Sequence, residues 1–169
     1  MQINQSEYSS FYHTYVSKVP EGDLITQLKK QTAETLRLYK TITEEQWNSA
    51  YAPGKWTIKE LLVHLLDSER VFSYRALRIA RGDQTPLMGF EQDDYIPTSE
   101  ANQRTVNDLL EEYQNLRAST ISLIKSFNPT MMARTGTASG ATISVRALCA
   151  IMAGHEIHHR QIIEERYLA

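Results

Sequence analysis

The sequence is poor in residues that interrupt helices and in residues that cross-link chains. Its 169 residues include five prolines, seven glycines and a single cysteine, Cys149. One cysteine cannot form an internal disulfide, so the fold does not depend on an oxidising compartment. The low proline and glycine content leaves room for long, uninterrupted helices.

The chain also lacks an excess of positive charge and any long apolar run. Its net charge is −2, with acidic and basic residues interspersed, which argues against a nucleic-acid partner. No stretch approaches the roughly 18 apolar residues of a membrane span, so no membrane partner is expected. Residues 1–7 are polar and lack the apolar core of a signal peptide. These absences predict a cytoplasmic protein.

Amphipathic periodicity predicts four long helices, and no stretch has a convincing strand pattern. We place the helices at about residues 23–42, 57–81, 101–127 and 143–167. Asp23 is a predicted N-cap, and Thr57 to Glu60 forms a capping box. The expected fold is all-α, a four-helix bundle. The length suits one domain, residues 1–169, with residues 1–20 as an N-terminal extension.

Three of the five histidines fall within five residues of the last predicted helix. His155 and His159 are four residues apart, so both lie on one helix face and can bind one metal ion. His158 lies three residues after His155 and could replace one member of that pair. The ordinary alternative is that these histidines make hydrogen bonds on the helix surface without any metal.

His64, in the second predicted helix, is the candidate third ligand. If the second and fourth helices are antiparallel neighbours, His64 lies roughly 10 Å from one end of the bundle. His159 and His155 then lie roughly 12 and 18 Å from the same end. The long connection 82–100 can carry the chain back along the bundle, at about 3.3 Å per residue. We therefore predict up-down-down-up topology, with this crossover between helices 2 and 3.

The same topology predicts what surrounds the histidines. Their end of the bundle is formed by the 43–56 connection, the start of the third helix and the last turn of the chain. Candidates to line the mouth of the site are Trp47, Tyr51, Trp56 and the segment Asp93-Asp94-Tyr95. Candidates to accept hydrogen bonds from the imidazoles, and so to orient them, are Glu60, Glu69 and Glu156.

Three neutral imidazoles suit zinc, nickel, copper or iron, of which we favour zinc or nickel. Three protein ligands leave a position where a metal could lower the pKa of a bound water or thiol. Residues 155–159 also match the H-E-x-x-H pattern of zinc proteases. Ile162 and Glu165 replace the glycine and histidine of its extended form, so the match is weak. Cys149 lies at least about 80° around the helix from both His155 and His159 and is expected to pack.

Two stretches carry a resemblance to a known family: KWTIKELLVHL at residues 55–65 and GHEIHH at residues 154–159. The sequence resembles the DinB-like (YfiT-type) metal-binding four-helix bundles, near the bacillithiol-transferase-like members, from Val19 onward. The resemblance implies a metal triad of His64, His155 and His159, up-down-down-up topology and, often, a homodimer.

The resemblance also implies an activity on a small-molecule substrate. Some relatives join a low-molecular-weight thiol, bacillithiol or mycothiol, to an electrophile, or use it as an isomerase cofactor. Our first hypothesis is therefore a metal-dependent thiol S-transferase, with catalytic residues unassigned. The second is a hydrolase with a metal-activated water on the same three histidines. The third is a non-catalytic protein that binds a metal or a small molecule.

Overall fold

A computed structural model describes residues 3–169; residues 1 and 2 of the predicted extension 1–20 lie outside the described residues. The four long helices of the bundle are α1 (Leu24–Tyr39), α2 (Ile58–Ala80), α3 (Val106–Lys125) and α4 (Val145–Ile162). They confirm the predicted all-α four-helix-bundle class. Each begins at a side chain that accepts a hydrogen bond from the backbone amide three residues on; these caps are Asp23, Thr57, Thr105 and Ser144.

Short helices occupy the connections between the long ones. Three precede α1, at Gln5–Glu7, Ser10–Tyr12 and His13–Val16, and one follows it, at Glu44–Trp47. The crossover between α2 and α3 contains Gln92–Tyr95, Ile96–Thr98 and Ala101–Gln103, and the next connection contains Pro129–Ala133. A π-helical turn, Ile163–Tyr167, continues α4.

Contacts along the helices establish the predicted up-down-down-up topology. Asn102, just before α3, bonds Glu60 near the start of α2, and Thr120 near the end of α3 contacts Ser73. Helices α2 and α3 are therefore parallel. By contrast Tyr167, after α4, donates to the carbonyl of Trp56, just before α2, so α2 and α4 are antiparallel.

Two apolar clusters fix the direction of α1. Its start, at Leu24 and Leu28, packs with the end of α2 and the start of α4, whereas Tyr39 packs with the start of α2 and with Ile163. Helix α1 therefore runs parallel to α4. None of the described helices is long and apolar enough to cross a membrane.

The expectation of no strand was wrong for residues 135–144. Strands β1 (Thr135–Ala138) and β2 (Ala141–Ser144) form an antiparallel hairpin. Its two-residue loop, Ser139-Gly140, has positive φ at both positions, 51° and 76°, as a type I′ turn requires. The crossover is tied to this hairpin, because the amide of Leu87 donates to Thr137 and the amide of Ser139 donates to Leu87.

Several helix boundaries also differ from prediction, and α1 ends at Tyr39 rather than 42. Helix α3 begins at Val106 rather than 101, because Arg104 and Thr105 are extended and Thr105 supplies the cap. Helix α4 begins at Val145 rather than 143, since the preceding residues pair as β2, and its predicted last residues form the π-helical turn. These shifts leave the histidines within their predicted helices.

Candidate metal centre

The three predicted ligands lie together between α2 and α4. Nε2 of His155 is 3.1 Å from Nε2 of His64 and 3.0 Å from Nε2 of His159. One nitrogen from each ring can be chosen so that all three lie within 4.8 Å of one another. Nitrogen ligands about 2.0–2.1 Å from a common ion are separated by roughly 3 Å, so the spacing fits one ion. His158 does not belong to this group, so the structure does not bring the alternative pair together.

Burial keeps the three imidazoles neutral. It lowers the pKa of His64 to about 4, because the charged ring would lose its hydration. Burial, with His159 and His64 beside it, holds the pKa of His155 well below its usual value. Burial and the neighbouring imidazoles do the same to the pKa of His159. Near neutral pH each ring therefore keeps a lone pair, which a metal ligand needs.

Aromatic side chains surround the histidines. The ring of Tyr15 meets His155 edge-on at 4.9 Å, and Trp56 lies 4.9 Å from the His64 ring. Phe72 contacts His155 from α2 at 6.2 Å. Sequence reasoning missed Tyr15 as a neighbour of the site, and its only signal was the aromatic-rich composition of residues 8–15. The aromatic shell limits access of water to the imidazoles from the sides it covers.

A cavity of about 470 Å³ opens beside His159 at the predicted end of the bundle. Tyr51, Trp56 and Asp93 line it, as the topology predicted. The remaining lining residues are Gly54, Lys55, Leu61, Ile162 and Tyr167. One member of the histidine cluster, His159, therefore faces a partly aromatic cavity that is large enough for a small organic molecule.

Other residues predicted at the mouth lie elsewhere. Trp47 is fully buried and packs against Tyr39, because its short helix folds back onto the core. Asp94 does not line the cavity, and Tyr95 lines a different one beside α2. Of Asp93, Asp94 and Tyr95, only Asp93 faces the cavity beside His159, because successive side chains of the short helix Gln92–Tyr95 point in different directions.

The three carboxylates predicted to orient the imidazoles have other partners in residues 3–169. Glu60 caps the start of α2 and bonds Asn102. Arg117 holds both Glu69, through paired hydrogen bonds, and Glu156, at 2.5 Å. Nδ1 of His159 is buried without a hydrogen-bond partner in the described chain. The predicted carboxylate–imidazole contacts do not form among the described residues, because Glu60 caps its own helix and Glu69 and Glu156 face Arg117 of α3.

The contacts of Glu156 also weaken the zinc-protease interpretation of residues 155–159. Its Oε1 accepts hydrogen bonds from Thr35 at 2.6 Å and Tyr113 at 2.5 Å, and its Oε2 faces Arg117. A carboxylate so held is not free to act as a general base. Cys149 is also buried, and burial raises its pKa to about 12, so the thiol stays protonated and packs as predicted.

Comparison with known proteins identifies the family. The sequence pattern of the DinB superfamily matches residues 27–163, which include all three histidines. The chain belongs to the DinB superfamily. A protein of Oceanobacillus iheyensis, named provisionally as a metal-dependent hydrolase, is 26% identical over 147 residues, 84% of each chain.

Solved structures share the fold. YfiT from Bacillus subtilis superposes with a TM-score of 0.75 at 18% identity, over 87% of this chain and 90% of its own. It too is described provisionally as a metal-dependent hydrolase, with an unusual four-helix-bundle topology. A DinB-like protein from Bacillus subtilis gives 0.60 at 20% identity, over 85% of this chain and 87% of its own. A mycothiol-dependent maleylpyruvate isomerase gives 0.68 at 14% identity, over 87% of this chain and 61% of its own.

Proposed function

We propose that this chain is a metal-dependent thiol S-transferase, which joins an intact low-molecular-weight thiol through its sulfur to an electrophilic small molecule. In this proposal His64, His155 and His159 hold a zinc or nickel ion. The observation that carries it is the convergence of three neutral, largely buried imidazoles beside a 470 Å³ cavity. When bound at such a site, a divalent ion lowers the pKa of a coordinated thiol, so that a thiolate is available near neutral pH.

The remaining lining residues give the cavity the means to bind a polar thiol. Lys55 and Asp93 provide one charge of each sign, suited to a carboxylate and an amine on the bound molecule. Tyr51 and Tyr167 meet edge-on at 5.0 Å and form an aromatic wall for its apolar part. Such a chamber would orient thiol and electrophile and limit competing water.

Thiol transfer is favoured over hydrolysis because the carboxylate next to His155 in the sequence is not available as a general base. Glu156, which adjoins a histidine of the site, is held by Arg117, Tyr113 and Thr35. A thiol can release its proton to solvent without a protein base. Its sulfur would then form a bond to an electrophilic carbon, either by addition to a polarised double bond that takes up a proton or by displacement of a leaving group. The fold likeness to a mycothiol-dependent isomerase adds support.

Hydrolysis is the second candidate, and one residue favours it. Asp93 lines the cavity and is exposed, so it is available to accept a proton from an activated water. The provisional names of the Oceanobacillus iheyensis relative and of YfiT point the same way. The same three histidines would serve both reactions.

Metal content tests the site itself. We expect about one ion per chain in untagged protein, as a three-histidine site predicts, and its loss in His64→Ala and His159→Ala. His158→Ala is the matched control, since it removes a neighbouring imidazole outside the cluster, and should keep the ion. Circular dichroism would show that the variants remain folded. Equal metal content in His64→Ala and the parent would rule out the cross-helix site.

Product analysis then separates the candidate reactions. Metal-loaded protein is incubated with electrophiles in the presence of bacillithiol, mycothiol or glutathione. The molecular masses of the products are then measured by mass spectrometry. A sulfur adduct that depends on His64 supports transfer, whereas incorporation of ¹⁸O from labelled water supports hydrolysis. A folded, metal-loaded protein that turns over neither way would support a non-catalytic binding role.

We further propose that the protein is a cytoplasmic homodimer, as the family resemblance and the single cysteine suggest. Light scattering after size exclusion should give twice the mass of one chain, which is 19.4 kDa. A mass of one chain at micromolar concentration would contradict the dimer.

A further inference from the structure

A second cavity, of about 540 Å³, lies between α2 and the crossover that follows it. Arg75 lines it from α2, and Met88 and Phe90 line it from the crossover. We call it the Arg75 cleft. None of its lining residues lines the cavity beside His159. Arg75 is eleven positions after His64 on α2, which places it roughly 16 Å away along the helix axis.

Arg75 is a buried cation without a counter-charge. Its side chain is only 2% exposed, and no carboxylate of residues 3–169 lies within 4.0 Å of its guanidinium. Nη2 donates to the carbonyl of Met88 at 2.7 Å and to Oγ of Ser139 at 3.1 Å. The guanidinium also lies 5.7 Å from the centre of the Phe90 ring. Buried charges in proteins are usually paired, so this one stands out.

The unused donors of Arg75 are available to the cleft. A guanidinium carries five N–H donors, and Nη2 accounts for two of them. Within the described chain, Nε and Nη1 donate to no protein acceptor, and neither nitrogen is fully buried. These donors therefore retain access to the cleft that Arg75 lines.

The other arginines of the cleft are already neutralised. Arg70 pairs with Glu112 at 2.5 Å, and Arg78 pairs with Asp83. Both lie nearer the surface than Arg75. The cleft therefore presents one uncompensated positive charge, which calls for one negative charge on a ligand.

The walls of the cleft are apolar and open to solvent. Met88 is 85% exposed, Tyr74 53% and Tyr95 43%, and all three line the cavity. Exposed large apolar side chains gathered around a cavity are typical of binding sites. They suit the aromatic or aliphatic body of a small molecule.

We propose that the Arg75 cleft is a binding site for a small organic acid, whose carboxylate pairs with Arg75 and whose apolar body packs against Tyr74, Met88 and Phe90. With Nη2 engaged by Met88 and Ser139, Nη1 or Nε can donate a charge-assisted hydrogen bond to a carboxylate, and such a bond is stronger than one to a neutral acceptor. This site is separate from the metal centre and does not depend on the reaction proposed there.

The first test is a comparison of two ligands that differ in one charge. The full chain, as purified, is titrated with 3-phenylpropionate and with the neutral 3-phenylpropionamide, and two-dimensional NMR follows the backbone amides. We expect the acid to bind about tenfold more tightly or better, because a hydrogen bond to a charged group is worth at least a factor of that order. The shifted amides should cluster at residues 85–90 and 137–139. Equal affinities, or shifts centred elsewhere, would overturn the proposal.

Two charge-changing variants test the role of Arg75. Arg75→Met removes the charge and keeps most of the chain length, and should abolish the preference for the acid. Arg78→Met is the matched control at the rim, where the arginine is already paired, and should retain the preference. If Arg75→Met bound the acid as the parent does, the assignment would be wrong.

A third variant keeps the test decisive if Arg75→Met does not fold. Met88→Glu adds a negative charge at an exposed position of the cleft and should weaken binding of the acid by about tenfold. Ala33→Glu adds the same charge on an exposed face of α1, which packs on α3 and α4, and should leave binding unchanged. Equal binding by Met88→Glu and Ala33→Glu would refute the site.

Two further measurements distinguish the proposed site from binding of the acid at the metal and from self-association of the protein through the cleft. In His64→Ala, which should lack the ion, binding of the acid should be unchanged; its loss would show that the acid binds the metal instead. The other outcome is that the parent protein does not bind the acid, while Met88→Glu converts a dimer into a monomer. In that case the cleft is an interface between copies of the chain and the proposal fails.

Discussion

Gly154 lets the N-terminal segment approach α4 more closely than any larger residue would allow. A Cβ at this position would lie 1.9 Å from the carbonyl oxygen of Tyr15. The short helix His13–Val16, which contains Tyr15, therefore packs directly on the turn of α4 that carries His155. The approach explains how the ring of Tyr15 reaches the candidate metal centre.

At the residue scale we predict that Gly154→Ala destabilises the protein, although alanine is the better helix former. The methyl group must displace the backbone of residues 13–19, and overpacking of this kind costs about 1–3 kcal/mol. Urea denaturation should show the loss, and hydrogen exchange should show faster exchange at residues 13–19.

Gly82→Ala provides the control for that experiment. Gly82 ends α2 with a φ of 83° and has nothing near its absent Cβ, so alanine there introduces backbone strain alone. It should cost about 1–2 kcal/mol and leave the exchange of residues 13–19 unchanged. Unaltered exchange in Gly154→Ala as well would mean that the segment tolerates a side chain there.

At the element scale, one ion pair anchors the N-terminal segment to the bundle. Arg146, in the first turn of α4, donates to both carboxylate oxygens of Glu7 at 2.6 Å, and Ser144 donates to one of them. These contacts, chiefly the hydrogen bond from Arg146, lower the pKa of Glu7 from 4.5 to about 2. The segment is therefore held at both ends, by Glu7 and by the contact at Gly154.

We predict that acid releases the start of this segment. Because the pKa of Glu7 is depressed in the folded state, its contribution to stability is present above pH 4.5 and is lost as the pH falls through about 2. Hydrogen exchange of residues 5–12 should be slower in the parent than in Glu7→Gln at pH 5, and the difference should disappear near pH 2.

Glu21→Gln is the matched control, since Glu21 is exposed and its side chain has no ion-pair partner in the described chain. Hydrogen exchange of residues 5–12 in Glu21→Gln should match that of the parent protein at pH 5 and near pH 2. A difference between parent and Glu7→Gln that persists at pH 2 would contradict the assignment to this carboxylate.

At the scale of the whole molecule, a buried polar network joins all four bundle helices. Arg117 of α3 pairs with Glu69 of α2 and Glu156 of α4, and Glu156 also accepts from Thr35 of α1. Burial, with Glu156 beside it, raises the pKa of Tyr113, which also donates to that carboxylate. The network lies immediately behind His155 and fixes the turn of α4 that carries it.

We predict that Arg117→Met lowers the free energy of unfolding by about 3–5 kcal/mol, because it leaves two buried carboxylates without their cation. Urea denaturation at pH 7 measures the loss. The matched control is Arg70→Met, whose side chain is 47% exposed and paired with Glu112; it should cost at most about 1 kcal/mol. Equal costs for the two variants would show that the buried network is not what stabilises the bundle.

The sequence predicted the helices, their topology and the grouping of His64, His155 and His159, because periodicity and position along a helix determine these features. It did not predict the hairpin, although Ser139-Gly140 between threonine-rich and isoleucine-containing segments is a turn signal. It also misassigned Glu69 and Glu156, since their partner Arg117 lies on another helix, and the direction of a side chain around the bundle is a tertiary property. That the three histidines bind a metal stays a prediction.

The antiparallel pairing of α2 with α4 has a consequence for the order in which the protein forms during synthesis. Helices α2 and α3 are synthesised before α4, which supplies two of the three histidines and much of the core. Until then the apolar surfaces of the earlier helices that pack against α4 have no partner, a condition that favours aggregation. Emergence of α4 from the ribosome should thus coincide with closure of the core and assembly of the metal centre.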